Sequence, residues 1–324
     1  MKDIAIVGAG MAGASCAAQL ASAGLDIAVY DAAPEVGGRM TSRFLDGHQF
    51  DHGTQYFTAR HPAFAACVDD WVAQGHAALW QGRFASWNGQ GFCPHQGTSR
   101  IIGQPDMGAP CRALLRGVPT HTGHRLTGLA WQDRAWQLIF DNGEAALARY
   151  VVLAMPACRA AELIPPNHPL HRLAAASSMT PCFMLMMETD REIALPFDGI
   201  FVSEGPLSWA ARESSKPGRP PGNGWVIQAT AAWSALHIDD RVELIAATLQ
   251  KSFFQWLHED VSARGATLHR WLHGRATTVL GQVAVSAGHM GLAGDWLDNG
   301  RVEGAWLSGR RLADQILSDL TVTN

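Results

Sequence analysis

The sequence predicts an α/β protein in which a Rossmann-like dinucleotide-binding domain is interleaved with an α+β domain. Three observations carry this. An apolar run, Ile4 to Val7, ends in glycines at Gly8, Gly10 and Gly13. A second apolar run ends at the acid Asp31. A distant stretch, Gly294-Asp295-Trp296 through Gly304, has the composition of another nucleotide-facing segment from the far end of the chain.

The first strand, Lys2 to Val7, turns through these glycines into an alanine-rich helix from Met11 to about Ala23. Gly8 serves the tight turn, Gly10 lets the backbone approach a pyrophosphate, and Gly13 lets the helix pack on the strand. The helix start at Met11 and Ala12 faces the phosphates with free N–H groups and the positive end of its dipole. A second strand, Asp26 to Tyr30, delivers Asp31 about twenty residues downstream, where a carboxylate accepts ribose hydroxyl protons and disfavours a 2′-phosphate. This motif alone does not separate NAD from FAD. Gly37-Gly38-Arg39, continuing into Met40, tips the reading to FAD: adjacent glycines let the chain pass against the cofactor, and Arg39 offers a forked cation to the same pyrophosphate.

Phe50 to Phe57 then carries the chain beneath a flavin ring, and Arg60 to Gln74 has helical spacing at Phe64, Val68, Trp71 and Val72. The chain returns near Gln96-Gly97-Thr98-Ser99-Arg100. A helix from about Gly108 to Arg116, with Pro110 in its first turn, leads into a three-strand meander. Its strands are His124 to Trp131, Trp136 to Asp141 and Ala146 to Ala154, with Asp141-Asn142-Gly143 as the second turn. Tyr150 to Leu153 re-enters the main sheet.

After Met155-Pro156 a short helix, Ala157 to Leu163, precedes strand-like runs at Thr180 to Glu188, Gly199 to Ser203, Leu207 to Arg212 and Trp225 to Thr230. Their turn-separated Phe, Trp, Met, Val and Ile predict an antiparallel sheet. The stretch Ser214 to Gly224, dense in Pro and Gly, reads as a mobile loop. An amphipathic helix from Asp239 to His258 is expected, capped by Asp239 and Asp240, with Val242, Ile245, Leu249, Phe253 and Trp256 inward. A strand at Leu268 to Leu272 follows. In the closing segment Asp295 offers its carboxylate to the ribityl chain. Gly300-Arg301-Val302-Glu303-Gly304 opens a helix, to about Asp319, whose N–H groups point at the pyrimidine end of the flavin, where reduction places negative charge. The expected FAD-binding domain is therefore residues 1–58, 96–156 and 276–324, and the substrate domain 59–95 and 157–275.

Composition bounds the function. A chain of 324 residues with a net charge of -4 and no basic cluster argues against nucleic acid or an anionic membrane as partner. The six cysteines form no CxxC pair, the pattern of reduced thiols in a cytoplasmic protein. No run of about twenty apolar residues offers a membrane span, and the glycine spacing accounts for the small, apolar N-terminus better than a signal peptide does.

In order and spacing, several motifs together resemble the flavin amine oxidase superfamily and, within it, the bacterial renalase type. They are Gly8 to Gly13, Gly37-Gly38-Arg39-Met40, Asp51-His52-Gly53-Thr54-Gln55-Tyr56, His124-Arg125-Leu126, Ala154-Met155-Pro156, Trp209 to Arg212 with Ser215-Lys216-Pro217, and His269-Arg270-Trp271. The resemblance implies a fold like that of p-hydroxybenzoate hydroxylase and non-covalent FAD. It implies an oxidase that converts dihydronicotinamide isomers, 2-dihydro- and also 6-dihydro-NAD(P), to NAD(P)+ while dioxygen becomes hydrogen peroxide. It further implies FAD contacts at Ala12, Asp31, Ala32, Arg39, Gln55, Tyr56, Leu126, Asp295 and Val302, with Leu126 beside the adenine through its backbone.

The first rival is an oxidase of a small amine on the same scaffold; a flavin-dependent desaturase or hydroxylase, and a nucleotide-binding sensor, are others. Amine oxidation there often uses a buried lysine and tyrosine walls. Lys2 opens the first strand, Lys216 falls in the proline-rich loop and Lys251 in the long helix, so none is expected at a flavin. Tyr30, Tyr56 and Tyr150 all lie in the first half. A dihydronicotinamide is already a hydride donor, so positioning supplies the catalysis and no general base is assigned. Substrate contacts are expected from Phe57, Thr58 and Arg60 and from Gln96, Gly97 and Thr98; Arg60, Arg100 and Arg212 are phosphate candidates. Met184, Met186 and Met187 read as packing.

Overall fold

A computed structural model describes residues 1–95, 97, 99–257 and 260–322. Its first sheet has Lys2–Val7 between Ile27–Tyr30 and Ala145–Leu153, parallel to both. The meander is present as Leu126–Gln132, Ala135–Phe140 and Ala145–Leu153. The last of these strands is antiparallel to its neighbour over its first half and, over its second half, parallel to Lys2–Val7 and to Met290–Leu292. The register fixes the site. Val7 lies opposite Tyr30 and Leu153, and Leu153 opposite Leu292. Gly8, Asp31, Ala154 and Ala293 therefore leave the sheet side by side at the carboxyl ends of parallel strands, the edge where open α/β sheets bind ligands.

The helix Met11–Ser22 packs along the terminal helix Val302–Val322, which joins the chain's two ends. A Cβ at Gly309 would lie 2.1 Å from the Ala12 carbonyl oxygen, and Ser15 Oγ donates to the Trp306 carbonyl at 2.8 Å.

The second sheet runs Ala263–Ala276, Met179–Thr189, Gly224–Ala229, Leu207–Arg212, Gly199–Val202, Phe84–Trp87, Phe92–Pro94. It is antiparallel except where Gly199–Val202 pairs with Phe84–Trp87. The helix Val242–Phe254 covers one face with Ile245, Leu249 and Phe253 against Phe183, Leu185 and Trp225. Met184 and Met186 pack on the other face with Phe50.

Several expectations change. The strand Ala263–Ala276 is far longer than Leu268 to Leu272, because an edge strand paired on one side tolerates Gly265, Gly274 and polar residues that break the apolar pattern. The long helix starts at Val242, since Asp240 is engaged by His237 Nδ1 at 2.6 Å and does not cap it; Val242 is exposed, and His258 lies outside the described residues. Val72 is also exposed, one step beyond the buried stripe Phe64, Val68 and Trp71. Two short helices, Pro169–Ala176 and Ala231–Leu236, were not anticipated.

The stretch Ser214 to Gly224 is not a free loop. Its Lys216 and Arg219 are buried, 1% and 7% exposed, and pinned by ion pairs. No described helix is long and apolar enough to cross a membrane.

Candidate active site

The three early glycines answer to different constraints. A Cβ at Gly8 would lie 2.2 Å from the Ala154 carbonyl oxygen, and one at Gly13 would lie 1.8 Å from that of Gly8. Both are glycine because the fold leaves no room. Gly10 has φ -75°, open to any residue, and a Cβ there would meet nothing nearer than the Gly37 oxygen at 3.9 Å. Nothing inside the protein requires its missing side chain, and the space in front of it suits a bound group. The helix behind it starts with no side-chain cap, so its first N–H groups are free to meet phosphate.

Asp31, at the neighbouring strand end, accepts from Ala9 N at 2.6 Å and Ala33 N at 2.8 Å. Burial raises its carboxyl above the ordinary value against the pull of those two N–H groups. Further lone pairs remain for ribose hydroxyls. Ala32 is exposed beside it, and His124 N, two residues before the buried Leu126, donates to the Asp31 carbonyl at 2.8 Å. Gly37 lies alongside Gly10 in a backbone bridge, and Met40 is buried beneath.

Arg39 and Asp295, both expected on the cofactor, form a bidentate pair: Nη2 to Oδ1 at 2.6 Å and Nη1 to Oδ2 at 3.1 Å. Arg39 Nη1 also donates to the Gly274 carbonyl at 3.3 Å. The pair is the contact by which residues 256 positions apart share one site. Ser308 Oγ accepts from Gly294 N at 3.0 Å, fixing the turn that delivers Asp295. Arg301 points to solvent, Val302 is half-buried, and Glu303 Oε2 accepts from Arg60 N and His61 N at 2.5 and 2.9 Å. The residues at hand, an open glycine turn, a ribose-height carboxylate, and a guanidinium and second carboxylate beyond it, fit a dinucleotide flavin.

The segment Asp51 to Tyr56 is held from below by a charge cluster that the sequence did not reveal. Lys216 Nζ donates to Asp51 Oδ2 at 3.0 Å, Glu213 Oε1 at 2.8 Å and Gln55 Oε1 at 3.4 Å. Arg219 Nη2 donates to Asp51 Oδ2 at 2.9 Å, and Ser42 Oγ to Asp51 Oδ1 at 2.5 Å. Burial and the neighbouring Asp51 push the Glu213 carboxyl up to about 7; Lys216, Arg219 and Ser42 hold Asp51 below the ordinary range despite its burial. The sequence placed Lys216 in a mobile loop because Pro and Gly surround it. Its motif, Ser215-Lys216-Pro217, was the available signal.

Above this cluster Gln55 Oε1 accepts from Trp209 Nε1 at 3.2 Å, and Tyr56 packs 5.6 Å from the Trp209 ring. His52 packs against both His269 and Trp271, which also touch each other, and its carbonyl accepts from Trp271 Nε1 at 2.6 Å. Burial lowers its imidazole to about 4, with His269 and Arg43 adding to the effect.

The expected substrate contacts scatter. Phe57 is a core residue against Phe64 and Trp71, because its backbone pairs with Ile101 and turns the ring inward. Thr58 is half-buried, Arg60 is exposed with only its backbone engaged among the described residues, and Gly97 is exposed. Gln96 and Thr98 lie outside the described residues. Arg212 is structural, bonded to the Ile193 and Leu195 carbonyls and paired with Glu192 and Asp198.

Residues 79–317 match the family of flavin containing amine oxidoreductases, and residues 6–71 that of an NAD(P)-binding Rossmann-like domain. Protoporphyrinogen oxidase 2 of Arabidopsis thaliana is 36% identical over 69 residues, 21% of this chain and only 14% of that protein. Renalase of Mus musculus is 23% identical over 307 residues, covering 86% of each chain. Cyclohexylamine oxidase from Brevibacterium oxydans has the same fold, with a TM-score of 0.77 at 10% identity over 99% of both chains.

Proposed function

The chain belongs to the flavin containing amine oxidoreductase family, and from that premise we propose that it is an FAD-dependent oxidase of dihydronicotinamides. In this reading it takes hydride from 2-dihydro- or 6-dihydro-NAD(P), releases NAD(P)+, and reduces dioxygen to hydrogen peroxide. The observation that carries the cofactor is Gly10, a glycine with no internal reason to be one, at a sheet edge shared with Asp31 and the Arg39–Asp295 pair. FAD, bound without a covalent link, supplies the hydride acceptor. Gly10, Met11, Ala12, Gly38 and Arg39 hold its diphosphate, Asp31, Ala32 and Leu126 its adenosine end, Asp295 its ribityl chain, and the helix start at Arg301 and Val302 its pyrimidine. Gln55 and Tyr56, locked by the charge cluster, orient the ring.

Two features favour a dihydronicotinamide over an amine. The match to renalase runs along nearly the whole chain. Lys216, the one buried lysine, has its three ammonium protons directed at Asp51, Glu213 and Gln55, leaving none to hold a water at the ring. Amine oxidation remains the second reading, supported by the likeness in fold to cyclohexylamine oxidase. Product analysis separates them. With a dihydronicotinamide isomer as sole reductant, the FAD-loaded protein is expected to yield NAD(P)+ and hydrogen peroxide in equal amounts; aldehyde and peroxide from an amine, with dihydronicotinamides inert, overturns the proposal.

A further inference from the structure

Arg100 is 6% exposed and forms no ion pair among the described residues. Its guanidinium carbon lies 3.8 Å from the centre of the Phe84 ring, 5.2 Å from Tyr56 and 5.3 Å from Phe201, and its Nε is buried without a hydrogen-bond partner among the described residues. The other buried arginines of this region differ. Arg212 and Arg219 also bury an unbonded Nε, yet each is paired with carboxylates, at Asp198 and Glu192 and at Asp51. A buried cation is ordinarily paired. Three aromatic faces attract Arg100 through their quadrupoles but accept no directed N–H bonds at its edge.

The surroundings belong to the substrate side of the site. Tyr56 follows Gln55 directly, and Phe201 stands 4.7 Å from the Trp209 ring that bonds Gln55. His95, exposed above, packs 4.6 Å from Phe201 with its Nδ1 3.2 Å from Ser86 Oγ. A hydroxyl donated to Nδ1 leaves Nε2–H as a second donor beside the guanidinium.

We propose that Arg100 is the counter-cation for an anionic group of the substrate, a phosphate or a carboxylate, bound at the Tyr56–Phe84–Phe201 ring cluster. This rests on the reading that residues 51–57 border the reacting ring, and it narrows the substrate to a class: a flat donor that carries an anion. The fork of the guanidinium suits a phosphate or carboxylate in bidentate contact. The same charge repels the ammonium of a simple mono- or diamine.

The test uses protein saturated with FAD, so that the glycine turn is occupied, and follows tryptophan fluorescence during titration with inorganic pyrophosphate, nicotinamide mononucleotide and the uncharged-tail nicotinamide riboside. The wild type is expected to bind the two phosphates, Arg100→Met to lose at least about tenfold in affinity for both while riboside binding is unchanged, and Arg100→Lys to recover part of the loss. Far-ultraviolet circular dichroism checks that the variants are folded. If pyrophosphate binding depends on Arg100 but neither nicotinamide binds, the anion site stands and the dihydronicotinamide reading falls. Equal binding of pyrophosphate by wild type and Arg100→Met, or no binding by either, overturns the proposal.

Discussion

At the scale of single residues, Gly10 separates a ligand requirement from a folding requirement. Gly10→Ala adds a methyl that meets only ordinary contacts, at Gly37 and Gly38, so the variant is expected to match the melting temperature of wild type stripped of flavin and to purify with little flavin. Gly13→Ala drives a methyl into the Gly8 carbonyl, and overpacking of this kind costs about 1–3 kcal/mol. Flavin absorbance per mole of protein, read beside thermal melts, checks both. His52 makes a second prediction. Its imidazole stays neutral in the folded protein down to about pH 4, whereas the unfolded chain takes up the proton near its ordinary 6.5. The unfolded state therefore binds more protons between those values, and stability falls as pH drops through that window, by on the order of 2–3 kcal/mol. Glu213 works with the opposite sign: raised to about 7, it favours the folded state at low pH and loses that contribution as pH rises through 7. His52→Gln should flatten the acid side of a denaturant-midpoint profile between pH 6.5 and 4; a profile identical to wild type would show that this burial has no such effect.

At the scale of elements, the segment from Glu213 to Arg219 ties the end of the strand Leu207–Arg212 to the stretch Asp51 to Gln55 and to the carbonyls of Gly103 and Pro105. It buries two carboxylates and two cations among Asp51, Glu213, Lys216 and Arg219, with the Trp80 ring 5.4 Å from Lys216 Nζ. Removing one member strands the others, which costs about 3–5 kcal/mol for a buried pair. Lys216→Met is expected to lose that much in urea unfolding, and Glu213→Gln much less, because a neutral amide at a site that already favours the proton leaves Asp51 paired. If both lose equally, the ranking of the two carboxylates is wrong. These same elements show what a sequence discloses. Lys2–Val7, Ala157–Leu163 and Leu207–Arg212 were legible because an apolar period, or a run bounded by turn residues, is a local property. The Glu213–Arg219 segment was not, since its burial depends on a carboxylate, Asp51, 165 positions from Lys216. The helix at Val242 was misread at its start because His237 competes for the Asp240 that was to cap it.

At the scale of the molecule, parallel strands bring residues from opposite ends of the chain to one edge, and the Arg39–Asp295 pair closes the connection. The sheet edge proposed to hold the cofactor was legible because Gly8, Asp31 and Ala293 each follow a strand. The surroundings of Arg100, where we place the substrate anion, were not: Arg100 acquires its aromatic box from Phe84 and Phe201 only when the second sheet forms, while Phe57, chosen by its position after Tyr56, turns into the core. Asp295→Ala and Arg39→Met are each expected to weaken flavin retention at least about tenfold, measured by ultrafiltration; unchanged retention in both would remove this pair from the cofactor site. The most direct measurement is anaerobic rapid mixing of FAD-loaded protein with a 2-dihydronicotinamide dinucleotide on one side and a panel of small amines on the other, following flavin absorbance. Bleaching by the dinucleotide in a single fast phase, with the amines inert, is the predicted result; bleaching by an amine while the dinucleotide leaves the flavin oxidised would contradict it.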